Sequence, residues 1–203
     1  MAIPLGEGTL ALEGIYLAGA GEEEAGGAVV APPHPLYGGS MDHPVVNELS
    51  WACSCAGFAS LRFDWRGVGA STGTPSGEAA DADADYGAAL DHVCETVEGT
   101  VVACGYSFGA GAAVRASAGQ LRVRKLVLVA PVPALIDAEA LRDFGGSVLA
   151  ISGARDSLAP PAEVEQLMAC AADARVVVVP DADHFFGVGL AAISRAVTES
   201  LAP

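Results

Sequence analysis

The stretch Gly-Tyr-Ser-Phe-Gly, residues 105–109, places a serine at a tight turn between an apolar run and a run of small residues. A serine hydroxyl is a weak nucleophile until an imidazole takes its proton, and that imidazole needs a carboxylate to fix its tautomer. Glycines on either side of Ser107 permit a sharp strand-to-helix turn, and the next helix aims its first amides at a developing oxyanion. The pattern is a nucleophile elbow and predicts covalent catalysis at Ser107.

The partners that such a serine needs follow two other predicted strands. Asp156 comes after the strand at 146–153, and His184 comes after the strand at 174–180. In open α/β sheets the ligand site lies at the carboxyl ends of the strands. We therefore expect Ser107, Asp156 and His184 to meet at one edge of the sheet. Other carboxylates stay open as alternatives to Asp156, namely Asp137, Asp143, Asp181 and Asp183.

Strand and helix patterns alternate along the chain. Strands are predicted near 10–18 and at 27–33, 59–65, 100–106, 124–133, 146–153 and 174–180. Helices are predicted at 43–56, 79–97, 109–119, 134–144, 161–172 and 189–201, with an acidic turn at 21–27. Because the later strands are continuously apolar, they are typical of a parallel sheet covered by helices on both faces. The chain is predicted to be one domain, 1–203, with a doubly wound, mostly parallel α/β sheet.

The composition limits the classes of partner. Ten Lys and Arg stand against 25 Asp and Glu, which gives a net charge of −15. Such a surface repels phosphate backbones and anionic lipids, so neither nucleic acid nor a membrane is an expected partner. No apolar run approaches the roughly 20 residues that span a bilayer, and the first residues lack a signal-peptide pattern. A cytoplasmic location is predicted.

No motif calls for a cofactor or a metal ion. The five cysteines are odd in number, and Cys53 and Cys55 are the one closely spaced pair, so buried free thiols are predicted. The glycine-rich loop after the strand at 59–65 resembles a dinucleotide fingerprint weakly, since no acidic residue ends a next strand about 20 residues on. Arg66 and Asp64 are instead expected to fix the shape of that loop.

Together these motifs resemble the α/β-hydrolase superfamily. The chain is similar to small, lidless hydrolases whose first loop reads like HPLYGGSMDHPVV (34–46) and whose second reads like FDWRGVGASTG (63–73). The likeness covers nearly the whole chain and implies the α/β-hydrolase fold. No substantial cap domain is expected, because a single short helix is predicted between the strands at 124–133 and 146–153. Related dienelactone hydrolases carry Cys, and dehalogenases Asp, where this chain has Ser107.

The resemblance implies a role for each matching position. Ser107 corresponds to the nucleophile, His184 to the base and Asp156 to the acid. The oxyanion hole would use the backbone N–H of Phe108 and one from the loop that follows His34. Pro35 has no N–H to donate, so Leu36 is the predicted second donor, with Tyr37 as the fallback.

Side chains near the strand ends could line an acyl pocket or could equally belong to the core. These candidates are Tyr37, Phe108, Leu158, Phe185 and Phe186. His34 is interpreted as a structural loop anchor, and His43 and His92 as surface or packing residues on helices. Trp51 is expected on the inner face of its helix.

The predicted function is a serine hydrolase that cleaves small ester or thioester substrates through an acyl-enzyme intermediate. The same three side chains could serve a peptidase, an amidase, or a biosynthetic thioesterase or cyclase. A catalytically silent, hydrolase-like binding protein is the alternative of another class. It is disfavoured because such proteins usually lack one of the three side chains. A homodimer that completes the open rim of the site is a further hypothesis.

Overall fold

Strands and helices alternate along the chain in the computed structural model, which describes residues 1–6, 10–21 and 25–202. Its strands are β1 (Ala2–Pro4), β2 (Ala11–Leu17), β3 (Gly26–Ala31), β4 (Phe58–Phe63), β5 (Thr100–Tyr106), β6 (Val123–Val129), β7 (Ser147–Gly153) and β8 (Ala174–Val179). Its helices are α1 (Pro44–Cys55), α2 (Ala79–Thr96), α3 (Phe108–Ala116), α4 (Ala138–Asp143), α5 (Pro161–Met168) and α6 (Leu190–Leu201). Within the predicted acidic turn at 21–27, residues 22–24 lie outside the described residues.

The strands form one sheet in the order β1-β2-β4-β3-β5-β6-β7-β8. From β4 to β8 neighbouring strands are parallel, whereas β2 pairs antiparallel with both β1 and β4. Helices α1 and α6 pack together, and α2 packs against α3, so the sheet is covered on both faces. Every residue of β3 is buried, as the apolar pattern of a two-sided central strand predicts. The predicted fold class is confirmed.

The region between β6 and β7 differs from its prediction. The strand expected at 124–133 ends at Val129, because Ala130 adopts a positive φ of 44° and Pro131 follows. The helix expected at 134–144 is a short 3₁₀ turn, Pro133–Leu135, followed by the six-residue α4. The connection between the two strands, residues 130–146, is thus longer than predicted, but its helix is shorter and it holds no cap domain.

One burial prediction is wrong, and another is confirmed only in part. Trp51 is 53% exposed, because Leu49 faces the sheet and a residue two positions later lies about 200° further around a helix. Buried thiols are found at Cys53 and Cys104, whose sulfurs are 3.9 Å apart and unbridged. Cys55, in contrast, is exposed. Among the described residues no helix has the length and apolar character needed to traverse a bilayer.

Candidate active site

Ser107 lies at a strained turn between the central strand β5 and helix α3. Its φ and ψ are 55° and −114°, outside the regions that L-residues favour. The turn closes tightly, since a Cβ at Gly105 would lie 2.2 Å from the carbonyl oxygen of Gly109. A Cβ at Gly109 would in turn lie 2.6 Å from the carbonyl oxygen of Pro32. Glycine is therefore required on both sides, and the strain holds the serine side chain away from the backbone.

The predicted partners meet this serine in one hydrogen-bonded chain. The Oγ of Ser107 lies 2.9 Å from Nε2 of His184, and Nδ1 of the same ring lies 2.8 Å from Oδ2 of Asp156. All three residues are buried. The structure thus brings together three side chains that are separated by 77 and 28 positions in the sequence.

Asp156 is held in place by backbone as well as by the imidazole. Its Oδ1 accepts hydrogen bonds from the N–H groups of Leu158 at 2.9 Å and Ala159 at 2.8 Å. Burial works to raise the pKa of Asp156, but the hydrogen bonds from His184, Ala159 and Leu158 outweigh it and hold the pKa below its ordinary value. The carboxylate is therefore ionised and can hold the proton of Nδ1 in place.

Three of the four alternative carboxylates have other partners. Asp181 forms an exposed ion pair with Arg155 at 2.5 Å, and Asp183 accepts a hydrogen bond from the N–H of Phe185. Asp137 caps the first turn of α4. None of these side chains contacts the ring of His184 by a hydrogen bond in the described part of the chain.

Tyr106 was not singled out from the sequence, yet it joins the elbow to the loop of His184. Its hydroxyl donates a hydrogen bond of 2.9 Å to the backbone carbonyl of His184. Its ring packs between His43, at 4.8 Å between centroids, and His184, at 6.0 Å. Burial, followed by the charges of Asp156 and Asp183, raises its pKa, so the hydroxyl keeps its proton as a donor. The residue before an elbow serine carries no such signal in sequence.

The loop after β3 does not offer the backbone donor that the sequence predicts. The N–H of Leu36 donates to Nδ1 of His34 at 3.2 Å, and the N–H of Tyr37 donates to the carbonyl of His34 at 3.1 Å. Both predicted donors are thus already engaged, and His34 acts as the anchor of this turn. Within residues 1–6, 10–21 and 25–202, the N–H groups of His34 and Phe108 have no acceptor.

The sequence contained a signal for His34 that was overlooked. Pro32 and Pro33 follow β3 directly and have no N–H, so His34 carries the first amide hydrogen after the strand. Its ring centroid lies 4.6 Å from that of Phe108, which places the two free N–H groups on neighbouring residues beside Ser107. Pro35 is thus not the only residue of this loop without an N–H, and the first available donor is that of His34 and not that of Leu36.

The predicted pocket residues divide into two groups. Tyr37, Leu158 and Phe185 are 87%, 54% and 67% exposed and lie on the rim of the site. Phe186 is 2% exposed and belongs to the hydrophobic core, so its assignment to a pocket is wrong. Cavities of about 530, 830 and 420 Å³ elsewhere in the protein are not lined by Ser107.

The glycine-rich loop after β4 is fixed by two charged side chains, as expected. The guanidinium of Arg66 forms an ion pair with Asp85 at 2.7 Å and a second one with Asp81 on α2. Asp64 accepts a 2.6 Å hydrogen bond from the N–H of Met41. These contacts tie the loop to α2 and to the segment before α1.

Comparison with known proteins supports the same fold. The sequence pattern of the serine aminopeptidase family S33 matches residues 38–138, which include Ser107. An uncharacterised protein from Rickettsia prowazekii is 28% identical over 194 residues, covering 86% of this chain and 77% of that protein.

Solved structures extend the likeness to the full chain. An alpha-beta serine hydrolase homologue from Coxiella burnetii is 27% identical with a TM-score of 0.89, over 100% of this chain and 96% of its own. A putative α/β hydrolase from Agrobacterium tumefaciens is 26% identical with a TM-score of 0.85, over 99% and 94%. A serine hydrolase without a lid from Xanthomonas campestris is 25% identical with a TM-score of 0.79, over 98% and 91%. From its sheet order, its elbow and these likenesses, we conclude that the chain belongs to the α/β-hydrolase superfamily.

Proposed function

We propose that this protein is a serine hydrolase that cleaves small esters or thioesters through Ser107, His184 and Asp156. The observation that carries the proposal is the unbroken chain of hydrogen bonds from Oγ through the imidazole to the carboxylate, 2.9 and 2.8 Å long. Such spacing lets the ring accept the hydroxyl proton at Nε2 while Nδ1 keeps its own.

The reaction would proceed in two halves. The Oγ of Ser107 attacks the acyl carbon as its proton passes to Nε2 of His184, and the imidazolium then protonates the leaving alcohol or thiol as its bond to the acyl carbon breaks. A water molecule next gives a proton to Nε2 of His184 and attacks the acyl carbon. As the bond from the acyl carbon to Oγ breaks, the imidazolium returns the proton to Oγ of Ser107 and the carboxylic acid is released. Asp156, ionised throughout, stabilises the imidazolium in both halves.

Two backbone N–H groups would stabilise the tetrahedral oxyanion. We assign them to Phe108, in the first turn of α3, and to His34, in place of the sequence-based assignment of Leu36. Both groups lack an acceptor within the described part of the chain, whereas the N–H of Leu36 is bound to the His34 ring. Donors that are fixed before the substrate arrives need no reorganisation during the reaction.

An aminopeptidase is the second candidate, because the matched sequence pattern is that of serine aminopeptidases. The same serine, histidine and aspartate could cleave an amide as well as an ester. Amino acid p-nitroanilides, measured beside p-nitrophenyl esters, separate the two. Faster turnover of the anilides would place the peptidase ahead.

The test is hydrolysis of p-nitrophenyl acetate, butyrate and octanoate by the wild type, Ser107→Ala and Ser157→Ala, with a fluorophosphonate probe alongside. Ser157 is the matched control, since it is an exposed serine in the loop that carries Asp156. We expect turnover and labelling in the wild type and in Ser157→Ala, and neither in Ser107→Ala. A wild type that neither turns over esters nor takes the label would refute the proposal and favour a silent binding protein.

A further inference from the structure

Large apolar side chains are exposed around Ser107, where water would ordinarily disfavour them. Tyr37 is 87% exposed and Phe185 67% exposed, while the neighbouring Phe186 is buried at 2%. Exposed aromatic side chains beside a reactive group are suited to contact the apolar part of a ligand. We call Tyr37, Leu158 and Phe185 the apolar rim.

The apolar rim flanks the nucleophile from two sides. On one side the Tyr37 ring packs on His34 at 4.7 Å between centroids, and His34 packs on Phe108, the residue after Ser107. On the other side the Phe185 ring stands edge-on to His184 at 5.6 Å. The ring of Tyr37 thus contacts His34, the proposed oxyanion donor, and the ring of Phe185 contacts His184, the proposed base.

A negative charge lies beside this rim, because Oδ1 of Asp183 accepts a hydrogen bond from the N–H of Phe185. Asp183 is exposed, and its charge is close enough to Tyr106 to raise the pKa of that side chain after the effects of burial and of Asp156. Arg155, in the loop that precedes Asp156, is held in an ion pair by Asp181.

The remaining cations are paired or lie on other elements. Arg62, Arg115 and Arg175 pair with carboxylates, and the guanidinium of Arg122 donates to backbone carbonyls. Arg142 lies on α4 and Arg195 on α6. All ten Lys and Arg lie within the described residues. Arg66 is satisfied by Asp81 and Asp85. Arg124 and Lys125 begin β6, at the opposite edge of the sheet.

From these observations we infer that the substrate is an uncharged ester whose apolar acyl group lies across Tyr37 and Phe185. Acyl chains that end in a carboxylate or a phosphate are disfavoured, because their negative groups would meet the charge of Asp183 beside Phe185, while the nearby Arg155 is already paired with Asp181. This inference rests on the proposed function and adds the class of substrate to it.

The charge of the substrate is tested with two p-nitrophenyl esters of equal acyl length, the pentanoate and the glutarate monoester. We expect kcat/KM of the wild type to be about tenfold or more lower for the glutarate, with the gap narrowing in high salt, which screens surface charges. Equal rates, or a faster glutarate, would overturn the inference while leaving a working serine hydrolase.

The contact with the apolar rim is tested with Tyr37→Ala and Phe185→Ala, with Leu121→Ala as the control. Leu121 is 86% exposed and lies between α3 and β6, at the edge of the sheet away from Ser107. We expect both rim variants to lower kcat/KM for p-nitrophenyl 3-phenylpropionate about three- to tenfold more than for p-nitrophenyl acetate. Most of this loss should come from a higher KM. Leu121→Ala should match the wild type on both esters.

Different results would refute the proposed hydrolase function and the proposed class of substrate. Rim variants that treat both esters as the wild type does would refute the role of Tyr37 and Phe185, while loss of labelling in Ser107→Ala would still support the nucleophile. A wild type that hydrolyses none of the esters would remove the proposed function and this inference together.

Discussion

At the scale of single side chains, Tyr106 links the nucleophile to the base. It directly precedes Ser107, and its hydroxyl donates a hydrogen bond to the backbone carbonyl of His184. Tyr106→Phe keeps the ring and removes the hydroxyl. We expect kcat for p-nitrophenyl butyrate to fall about two- to tenfold with KM nearly unchanged, because the loss of one hydrogen bond loosens the position of the base. Steady-state kinetics measure the split.

The matched control is Tyr86→Phe. The hydroxyl of Tyr86 is also buried and donates to the carbonyls of Cys104 at 3.1 Å and Val29 at 3.3 Å, and no hydrogen bond joins it to His184. This variant should lose stability and keep its kcat. An equal fall in kcat in both variants would show that Tyr106 matters for the fold alone.

The carboxylate of Asp156 should fix the tautomer of the His184 imidazole, and an Asp156→Asn variant tests this role. In Asp156→Asn the amide nitrogen can point at the imidazole and favour the tautomer that blocks Nε2, so kcat should fall roughly 10³- to 10⁴-fold near neutral pH. Asp183→Asn, which removes the neighbouring alternative carboxylate, should stay within a few-fold of the wild type. Similar losses in both variants would reopen the choice of acid.

The same carboxylate makes the stability depend on pH. The pKa of Asp156 is lowered in the folded protein, so its ionised form stabilises the fold above the ordinary aspartate pKa of about 3.9, and this contribution disappears as the pH falls through the lower folded value. Urea titrations of the wild type and Asp156→Asn should therefore show a difference in unfolding free energy that shrinks on acidification. A difference in unfolding free energy between the two proteins that does not change as the pH is lowered would contradict this account.

At the scale of elements, the site depends on how closely α3 approaches the end of β3. A methyl group at Gly109 would lie 2.6 Å from the carbonyl of Pro32 and 2.8 Å from that of Ala31. Gly109→Ala should thus lower the free energy of unfolding by about 1–3 kcal/mol and reduce activity by moving His34. Urea denaturation and ester hydrolysis measure the two effects.

Gly87→Ala is the control, since a methyl group there meets no atom within 4 Å and the position lies inside α2. It should stabilise the protein by about 0.5–1 kcal/mol, because alanine is the better helix former. If Gly109→Ala were equally harmless, the close approach of α3 to β3 would not matter.

The elements and the three central side chains could be predicted from the sequence because their signals are local. An unbroken apolar run marks β5, and glycines mark the elbow around Ser107. Asp156 and His184 follow strands that are equally apolar. The strand order was not predicted, because the alternation of strands and helices does not show that β4 lies between β2 and β3.

Features set by the detailed geometry of loops were predicted less well. The N–H of Leu36 turns to its own neighbour His34, a choice that no spacing in the sequence reveals. Phe185 and Phe186 are adjacent and of the same type, yet a positive φ of 50° at Phe186 sends its side chain into the core while Phe185 stays outside. The backbone, and not the residue type, decides which of them can meet a substrate.

At the scale of the whole molecule, the net charge of −15 should weaken the folded state by self-repulsion. Sodium chloride screens this repulsion, so raising it from low to about 0.5 M near neutral pH should raise the melting temperature by about 2–5 °C. The control is the same titration close to the calculated isoelectric point of 4.4, where the net charge vanishes. A shift of equal size at both pH values would show that repulsion is not the cause.

The position of β8 has a consequence for how this protein loses activity. His184 follows an edge strand that pairs with β7 alone among the described strands, whereas Ser107 follows the central β5. Edge elements open at a lower free energy than the core of a sheet. On heating, fraying of that edge would withdraw the imidazole while the rest of the sheet is still intact. Inactivation would then precede melting, and amide hydrogens of β8 would exchange before those of β5.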